Sequence, residues 1–283
     1  MRMRNLFLIS VLMTMAACST SKPPPPPQPP VNTANLSDLQ NNLKQYSATK
    51  YDLSKTPQGI NPIRIQALNE AGMAIGAQGA LAYRSEQIDA ILTKDENLLD
   101  QAFNFNALML PNNVLPPVLV EGDHTLNLAD SKTIRIADQT YKIEQQARFA
   151  TTSPSWHDYL WMDFKKPEKP DNSLLPKNKS ELKIWQAAVT DGWKKGVGQA
   201  NSIFAENVAR LKRDYEGMAL YKKLVNQNMA STPYVATMSL GVTGDGQQIA
   251  INDKVKRITA LPQLNPDATN WKPAVAQPST DTH

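Results

Sequence analysis

The chain is poor in the residues that carry most catalytic and metal chemistry. Its 283 residues include one cysteine, Cys18, and three histidines. A single thiol cannot form an internal disulfide, nor can it supply the paired cysteines of a zinc finger or a CxxC redox site. The sequence also contains no HExxH, GxSxG or GxxxxGKS/T motif, which removes support for metalloprotease, serine-esterase and P-loop activities. We therefore expect no catalytic residue, no metal site and no cofactor.

The chain also lacks a strong excess of charge of one sign. Thirty basic side chains stand against 26 acidic ones, and the net charge falls from +4 to +2 if the segment that carries Arg2 and Arg4 is removed. No run of lysine and arginine is interleaved with aromatic residues, the pattern that is typical of nucleic-acid binding. We therefore expect no nucleic acid among the partners.

No apolar run is long enough to span a membrane. The run at the start, from Leu6 to Met15, has about half of the roughly 20 residues that a bilayer requires. It follows Arg2 and Arg4 and leads into two alanines. A basic start, a short apolar run and small residues are typical of a secretory signal peptide, which we assign to residues 1–17.

The lone cysteine follows this apolar run at once. The four residues "MAAC" that end at Cys18 resemble the bacterial lipobox, with Met15 where leucine is usual. In lipoproteins this cysteine is diacylated and becomes the mature N-terminus, and several acyl chains together anchor a protein almost irreversibly. Ser19 stands where aspartate would favour the inner membrane, so the resemblance implies an outer-membrane anchor that faces the periplasm. The alternative is an ordinary signal peptide with an incidental cysteine.

Both ends of the chain have low-complexity sequence. The stretch "PPPPPQPP" at residues 23–30 must adopt polyproline II, which at about 3.1 Å per residue extends roughly 25 Å. We interpret residues 18–34 as the lipidated cysteine with its spacer, although a ligand for a proline-binding domain has the same composition. Residues 267–283 are rich in proline and small polar residues, which predicts a disordered tail. The globular domain should therefore cover residues 35–266.

Two segments have the period of amphipathic helices. The first runs from Pro62 to Leu92, where Gly72, Gly76 and Gly79 would each cost about 1 kcal/mol relative to alanine, a penalty that predicts a close backbone neighbour. The second runs from about residue 178 to 229, with Ser180 as the predicted cap and a bend or division at three glycines. Its apolar stripe predicts a core face and comprises Phe204, Val208, Leu211, Tyr215, Met218, Val225 and Met229.

Alternating apolar and polar residues predict strands in residues 124–130, 132–150, 234–242 and 247–261. Gly244, Asp245 and Gly246 separate the last two and predict a hairpin turn. Helices and strands occur in blocks without regular βαβ alternation. The predicted fold class is therefore α+β, a single globular domain in which an antiparallel sheet packs against long helices, with disordered tails on both sides.

Polar residues that could serve a hydrolase have simpler structural interpretations. His157 and Asp158 stand in the segment "SPSWHDYLWMDF", whose aromatic residues favour packing, with a helix cap at Ser153 or Ser155. Three carboxylates on the second helical segment are expected to lie on a solvated, ion-paired face, namely Glu206, Asp214 and Glu216.

Long stretches of the chain resemble one family of secretion lipoproteins. They include "LMLPNNVLPPVLVEGDHTLNLADSKTIRIADQTYKI", "WHDYLWMDFKKPEKP" and "GWKKGVGQANSIFAENVARLKRDYEGMALYKKLVNQNM", followed by "PYVATMSLGVTGDGQQIAINDKVKRITALP". Over residues 67–271 the chain is similar to the DotC family of type IVB secretion systems, whose members include the TraI lipoprotein of IncI-type conjugative plasmids. The polyproline spacer is not part of the family pattern.

The resemblance implies a non-enzymatic structural subunit of the outer-membrane core complex, in a multimeric ring of its own copies. It implies two partners, a DotD-like lipoprotein and a DotH-like core protein that the lipoproteins help to deliver. Candidate partner contacts are Trp156, Tyr159, Trp161, Pro116 and Pro117, each of which is equally suited to a core. A periplasmic cell-wall hydrolase and a solute-binding lipoprotein are the alternative functions.

Overall fold

The computed structural model describes residues 35–54 and 59–272, apart from the side chains of residues 129 and 130. The predicted signal peptide, Cys18 and the proline-rich spacer lie outside the described residues. Within the described part, long helices pack with antiparallel strand pairs, which confirms the α+β class.

The helices differ greatly in length. In chain order they are α1 Leu36–Lys50, α2 Pro62–Lys94, α3 Glu96–Ala102, α4 His157–Leu160 and α5 Lys179–Asn226. At 1.5 Å per residue, α2 is about 50 Å long and α5 about 72 Å. Helix α2 confirms the first predicted helical segment, with Pro62 in its first turn and an Asn61 cap.

The sequence predicted a bend or a division at the glycines of α5, and the division is wrong, because α5 is a single continuous helix. Its cap is Asn178 rather than Ser180, because the Asn178 side chain accepts hydrogen bonds from the backbone N–H groups of Ser180 and Glu181, at 3.1 and 2.9 Å. Both residue types cap well, and only the path of the chain decides between them.

The backbones of α2 and α5 lie in close contact, as the α2 glycines predicted. A Cβ atom added to Gly72 would lie 3.0 Å from the Ala188 Cβ, and one added to Gly192 would lie 2.9 Å from the Met73 carbonyl carbon. Residue numbers rise together along the two helices, so the helices run parallel. This packing also explains why α5 is not divided, since glycine at the contact permits an approach that offsets its low helix propensity.

The N-terminal halves of α2 and α5 share a core with α1. Its buried side chains are Leu39, Leu43, Leu68, Ile75, Ala80, Trp185, Val189 and Trp193. An ion pair holds the starts of the two long helices together, with Arg64 Nη2 2.9 Å from Glu181 Oε2. Burial alone would raise the pKa of Glu181, but hydrogen bonds from Arg64 and the Lys177 N–H outweigh it and hold the pKa below its ordinary value.

The strands form three separate antiparallel pairs in the described chain rather than one sheet. In chain order the strands are β1 Val114–Leu115, β2 Val118–Asp130, β3 Thr133–Gln145, β4 Arg148–Phe149, β5 Tyr234–Gly244 and β6 Ile249–Ala260. Strand β1 pairs with β4, β2 with β3, and β5 with β6. The hairpin predicted at Gly244–Gly246 is present between β5 and β6.

The long strand pairs are attached at the C-terminal half of α5. We call residues 118–145 the first ribbon and residues 234–260 the second ribbon. The root of the first ribbon lies on Gly217 of α5, where an added Cβ would lie 2.9 Å from the Leu119 backbone nitrogen. The second ribbon follows the end of α5 after a short connection.

Two further core clusters line this half of α5. The first holds Ile88, Leu92, Phe105, Leu108, Leu115, Val118, Trp156, Leu160, Met162, Leu211 and Met218. The second holds Leu119, Tyr221, Leu224 and Ala230. The apolar stripe predicted on α5 lies in or against these clusters, as expected for a core face.

The described contacts continue past residue 266, where the sequence placed the start of the disordered tail. The Asp267 side chain accepts a hydrogen bond from the Thr269 N–H and begins a short 3-10 helix, Ala268–Asn270. The Trp271 indole donates to the Asn265 carbonyl at 3.0 Å, and the Lys272 N–H donates to the Gln227 carbonyl at 2.8 Å. These bonds extend the structured region to Lys272. Residues 273–283 lie outside the described part.

Candidate interaction surfaces

The aromatic residues around α4 divide into buried and exposed members. Trp156 is 1% exposed, and its indole N–H donates to Asp100 Oδ1 at 2.7 Å. Tyr159 is half-buried, whereas Trp161, which follows the helix, is 48% exposed. Of the three predicted partner contacts in this segment, Trp161 offers the most surface to another protein.

The two other predicted contacts, Pro116 and Pro117, are buried between β1 and β2. Proline lacks a backbone donor, so its place between two strands leaves no unpaired N–H group. With Trp156, these residues belong to the core of this chain and offer little surface to a partner.

His157 and Asp158 could form a hydrolytic pair by their places in the sequence. In the structure their side chains contact different residues. The His157 ring stacks on Trp156, with 3.6 Å between ring centroids, and its Nε2 lies 3.9 Å from Glu96 Oε1. Asp158 Oδ2 instead accepts a hydrogen bond from the Ser155 N–H at 2.8 Å, which fixes the start of α4. Both contacts are structural.

Asp214 does not lie on a solvated face, as the sequence predicted, but is 5% exposed. Its Oδ2 accepts a hydrogen bond from the Tyr159 hydroxyl at 3.1 Å. Its Oδ1 accepts hydrogen bonds from Gln145 Nε2 at 3.3 Å and from Arg213 Nη2 at 2.8 Å. The carboxylate thus joins α5, α4 and the end of β3. Glu206 and Glu216 are exposed, as expected.

The Tyr159 hydroxyl is held in its protonated form. Burial raises the pKa of Tyr159 to about 12, with further contributions from the charge of Asp214 and the hydrogen bond to it, against the opposing effect of Arg148 and Arg210. The Arg210 guanidinium lies 5.3 Å from the centre of the Tyr159 ring. A phenol with this pKa stays protonated at neutral pH and is a weak acid, so its hydroxyl is suited to hold the hydrogen bond to Asp214.

An open cleft of about 710 Å³ lies beside the Tyr159–Asp214 hydrogen bond. Its walls include both residues together with Arg148 and Arg210. A second open groove, of about 630 Å³, lies between α5 and the root of the first ribbon. It is lined by Leu119 and Val120 of β2 and by Val208 and Gly217 of α5. The second groove is thus continuous with the ribbon that projects beyond it.

The half of the first ribbon that is remote from α5, residues 125–137, carries exposed aliphatic side chains on one face. We call it the distal half. Leu126 lies opposite Ile136, and Leu128 lies opposite Ile134. These four side chains are between 55% and 73% exposed. The neighbouring pair, Asn127 and Arg135, belongs to the opposite face, because successive residues of a strand point to opposite sides.

The second ribbon has the same character. Val242 lies opposite Ile251, and regular pairing from there to Gly244 and Ile249 puts Ile249 on the same face. Met238 lies opposite Val255, beyond two register shifts. With Ile249, these side chains are between 45% and 75% exposed. The strand alternation was correctly predicted from the sequence, but the exposure of the apolar faces was not. Strand β2 begins at Val118 rather than at the predicted residue 124, so the predicted strand length did not indicate how far the ribbon extends beyond α5.

The described residues lack a membrane-spanning helix and a metal-binding cluster. No helix among residues 35–54 and 59–272 is both long and apolar enough to cross a membrane. The same residues hold no group of three or more histidine, cysteine, aspartate or glutamate side chains that could bind a metal ion.

Comparison with known proteins identifies the family. The model of a family described as type IV secretory system, conjugal DNA-protein transfer, matches residues 62–273. This match begins at α2 and includes both long helices and both ribbons. No curated protein matches the chain. Because the family model covers well over half of the sequence, the chain belongs to this TraI family of components of type IV secretory systems for conjugal DNA-protein transfer.

Proposed function

We propose that this protein is an outer-membrane lipoprotein that acts as a structural subunit in the core complex of a type IVB conjugation system. The observation that carries the structural role is the pair of ribbons, whose exposed aliphatic faces are suited to bind other subunits. Family membership supports the coarser part of the proposal, a component of a type IV secretory system for conjugal transfer.

The anchor in this proposal is a diacylated Cys18. Residues 23–30 would hold the domain roughly 25 Å from the lipid. The chain enters the domain at α1, which packs on the N-terminal halves of α2 and α5. The root of the first ribbon lies at Gly217, 28 residues beyond Val189 on α5, or about 40 Å along the helix. The anchored end and the binding end of the domain are therefore different ends of one rigid helix pair.

The proposed partners are a DotD-like lipoprotein, a DotH-like core protein and further copies of this chain. Trp161 and the two ribbons are the surfaces that we assign to these contacts. Exposed tryptophan contributes large contact area and is enriched in the residues that dominate binding energy. The role is scaffolding rather than catalysis, in agreement with the structural contacts of His157 and Asp214.

Replacement of the anchor cysteine tests the proposal. In Cys18→Ser the chain should lack acyl groups, as shown by mass spectrometry of the mature N-terminus, and the DotH-like protein should fail to reach the outer membrane. Ser19→Asp is the matched variant, because it keeps the acylated cysteine and changes only the sorting residue. It should move the acylated chain to the inner membrane. Unchanged fractionation of Cys18→Ser, or an unmodified N-terminus in the parent chain, would contradict the proposed anchor.

A further inference from the structure

The distal halves of the two ribbons are the least covered apolar surfaces of the described chain. Each is a two-stranded pair with aliphatic side chains exposed on one face, and the described chain leaves these faces open to solvent. An isolated two-stranded hairpin is marginally stable in water, and contiguous exposed aliphatic patches usually mark an interaction site. Another surface is therefore needed to cover them.

We infer that the first ribbon of one copy packs face to face on the second ribbon of the next copy, so that copies join head to tail. The inference rests on the proposed function, because it assumes that several copies stand side by side in the core complex. Two different surfaces on one chain form a heterologous contact, and such contacts generate rings when the rotation between copies closes.

The charges of the two ribbons are complementary. In the distal half of the first ribbon, residues 125–137 contain one acidic and two basic side chains, a net charge of +1. In the distal half of the second ribbon, residues 238–255 contain two acidic side chains and one basic side chain, a net charge of −1. Two first ribbons placed together would repel each other, and so would two second ribbons, whereas one of each attract. Complementary potentials of this kind select partners and fix their register.

The side chains favour a protein partner over a lipid surface. The aliphatic faces contain leucine, isoleucine, valine and methionine, and residues 125–137 and 238–255 contain no aromatic residue. Tryptophan and tyrosine are the residues enriched where proteins meet membrane interfaces. The negative net charge of the distal half of the second ribbon would also be repelled by anionic lipids. Leucine, isoleucine and valine faces are instead what two packed sheets use, at about 10 Å separation.

The size of the contact predicts where it forms. The distal half of a ribbon is about 20 Å long and about 10 Å wide, so each face offers about 200 Å². Stable complexes of dilute proteins bury about 800 Å² on each partner. The contact alone is therefore too small for a stable dimer in dilute solution, and it should form where an anchor and other subunits hold the copies together.

Cysteine cross-linking in cells that carry the complete secretion system tests this contact. Ile136→Cys places a thiol on the apolar face of the first ribbon, and Ile251→Cys places one on that of the second. Both positions are exposed, so the chain should fold normally, which thermal unfolding checks. The parent chain, which has only Cys18, is the background. Asn127→Cys combined with Ile251→Cys is the matched control, because Asn127 lies on the opposite face of the same ribbon.

The double variant Ile136→Cys with Ile251→Cys should give a ladder of dimers, trimers and larger species after oxidation. The matched control and each single variant should not. Dimers from Ile136→Cys alone would show that two first ribbons meet, which contradicts the head-to-tail contact. Absence of a ladder, with Ile136→Cys shielded from a water-soluble maleimide only while membrane is present, would assign the ribbon to lipid and overturn the inference.

Fractionation of the same cells separates this inference from the proposed function. If the chain enters the outer-membrane particle but gives no cross-linked ladder, the head-to-tail contact is wrong and the proposed function stands. If the chain gives a cross-linked ladder but lies outside any such particle, the contact is supported and the proposed function is wrong.

Discussion

Gly76 of α2 and Val189 of α5 lie so close that a Cβ atom added to Gly76 would lie 2.9 Å from the carbonyl carbon of Val189. This contact is between two backbones, so no side chain can move aside to accommodate a larger residue. The parallel helix pair depends on it, and the pair in turn separates the α1 core at one end of the domain from the ribbons at the other.

Gly76→Ala should therefore destabilise the domain although alanine is the better helix former. Overpacking costs about 1–3 kcal/mol, against a gain of about 1 kcal/mol in helix propensity. Gly198→Ala is the matched control on α5, because nothing lies within 4 Å of its added Cβ. The control should be neutral or stabilised in urea unfolding monitored by circular dichroism. Equal behaviour of the two variants would mean that the helices do not touch at Gly76.

Removal of the Tyr159 hydroxyl should reduce the dependence of stability on alkaline pH. Tyrosine in the unfolded chain ionises near pH 10, whereas burial raises the pKa of Tyr159 to about 12 and that of Tyr221 to about 12 in the folded chain. The stabilisation that goes with this difference is complete below pH 10 and is lost as the pH rises towards 12. The free energy of unfolding of Tyr159→Phe should therefore fall less steeply with pH over this range than that of the parent chain, as measured by urea unfolding.

The same variant should cost about 1.5–3 kcal/mol at neutral pH, the net value of a hydrogen bond to a carboxylate. Asp214→Asn should lower the pKa of Tyr159, measured by ultraviolet titration, without returning it to its ordinary value, because burial is the largest cause of the shift. A titration curve unchanged by Asp214→Asn would remove the carboxylate from this account.

Acid should weaken the ion pair at the start of the long helices. The pKa of Glu181 is held below its ordinary value of 4.5, so its stabilising effect is present above about that pH and is lost as the pH falls through the lower value of the folded state. Glu181→Gln should lose roughly 1–2 kcal/mol at pH 7, because the neutral amide keeps an oxygen acceptor but weakens the charge-assisted hydrogen bonds from Arg64 and the Lys177 N–H. It should also show a shallower loss of stability below pH 4.5. Glu216→Gln, exposed on the same helix, is the control and should behave like the parent chain.

Replacement of Trp156 should lower the stability of the fold, whereas replacement of Trp161 should weaken binding to partners. Trp156→Ala empties a buried core position and should cost about 3–5 kcal/mol in unfolding. Trp161→Ala should leave the unfolding curve almost unchanged and reduce co-purification with the other secretion subunits. Normal co-purification of Trp161→Ala would remove this residue from the proposed partner surface.

The sequence predicted elements that depend on local pattern. The extent of α2, the close approach at Gly72 and Gly76, and the hairpin at Gly244–Gly246 all follow from spacing and backbone preference, and the structure has each of them. The predicted division of α5 failed, because the propensity of an isolated glycine does not include the packing that Gly192 and Gly196 make with α2.

Features that depend on the path of the chain in three dimensions could not be predicted. Asp214 stands among charged neighbours in the sequence, and its burial results from the approach of Tyr159 and Gln145 from distant segments. Strand alternation likewise indicates which residues share a face, but it does not indicate what covers that face. The sequence therefore predicts one sheet packed against helices, whereas the described strands form separate pairs with exposed apolar faces.

The central claim is that this chain is a building block of a large outer-membrane particle. The most direct test is electron microscopy of the tagged chain, extracted with mild detergent from cells that carry its conjugation system and purified through the tag. We predict a megadalton ring that contains many copies of this chain together with DotD-like and DotH-like subunits. Recovery of the chain as a single copy without these subunits would contradict the account.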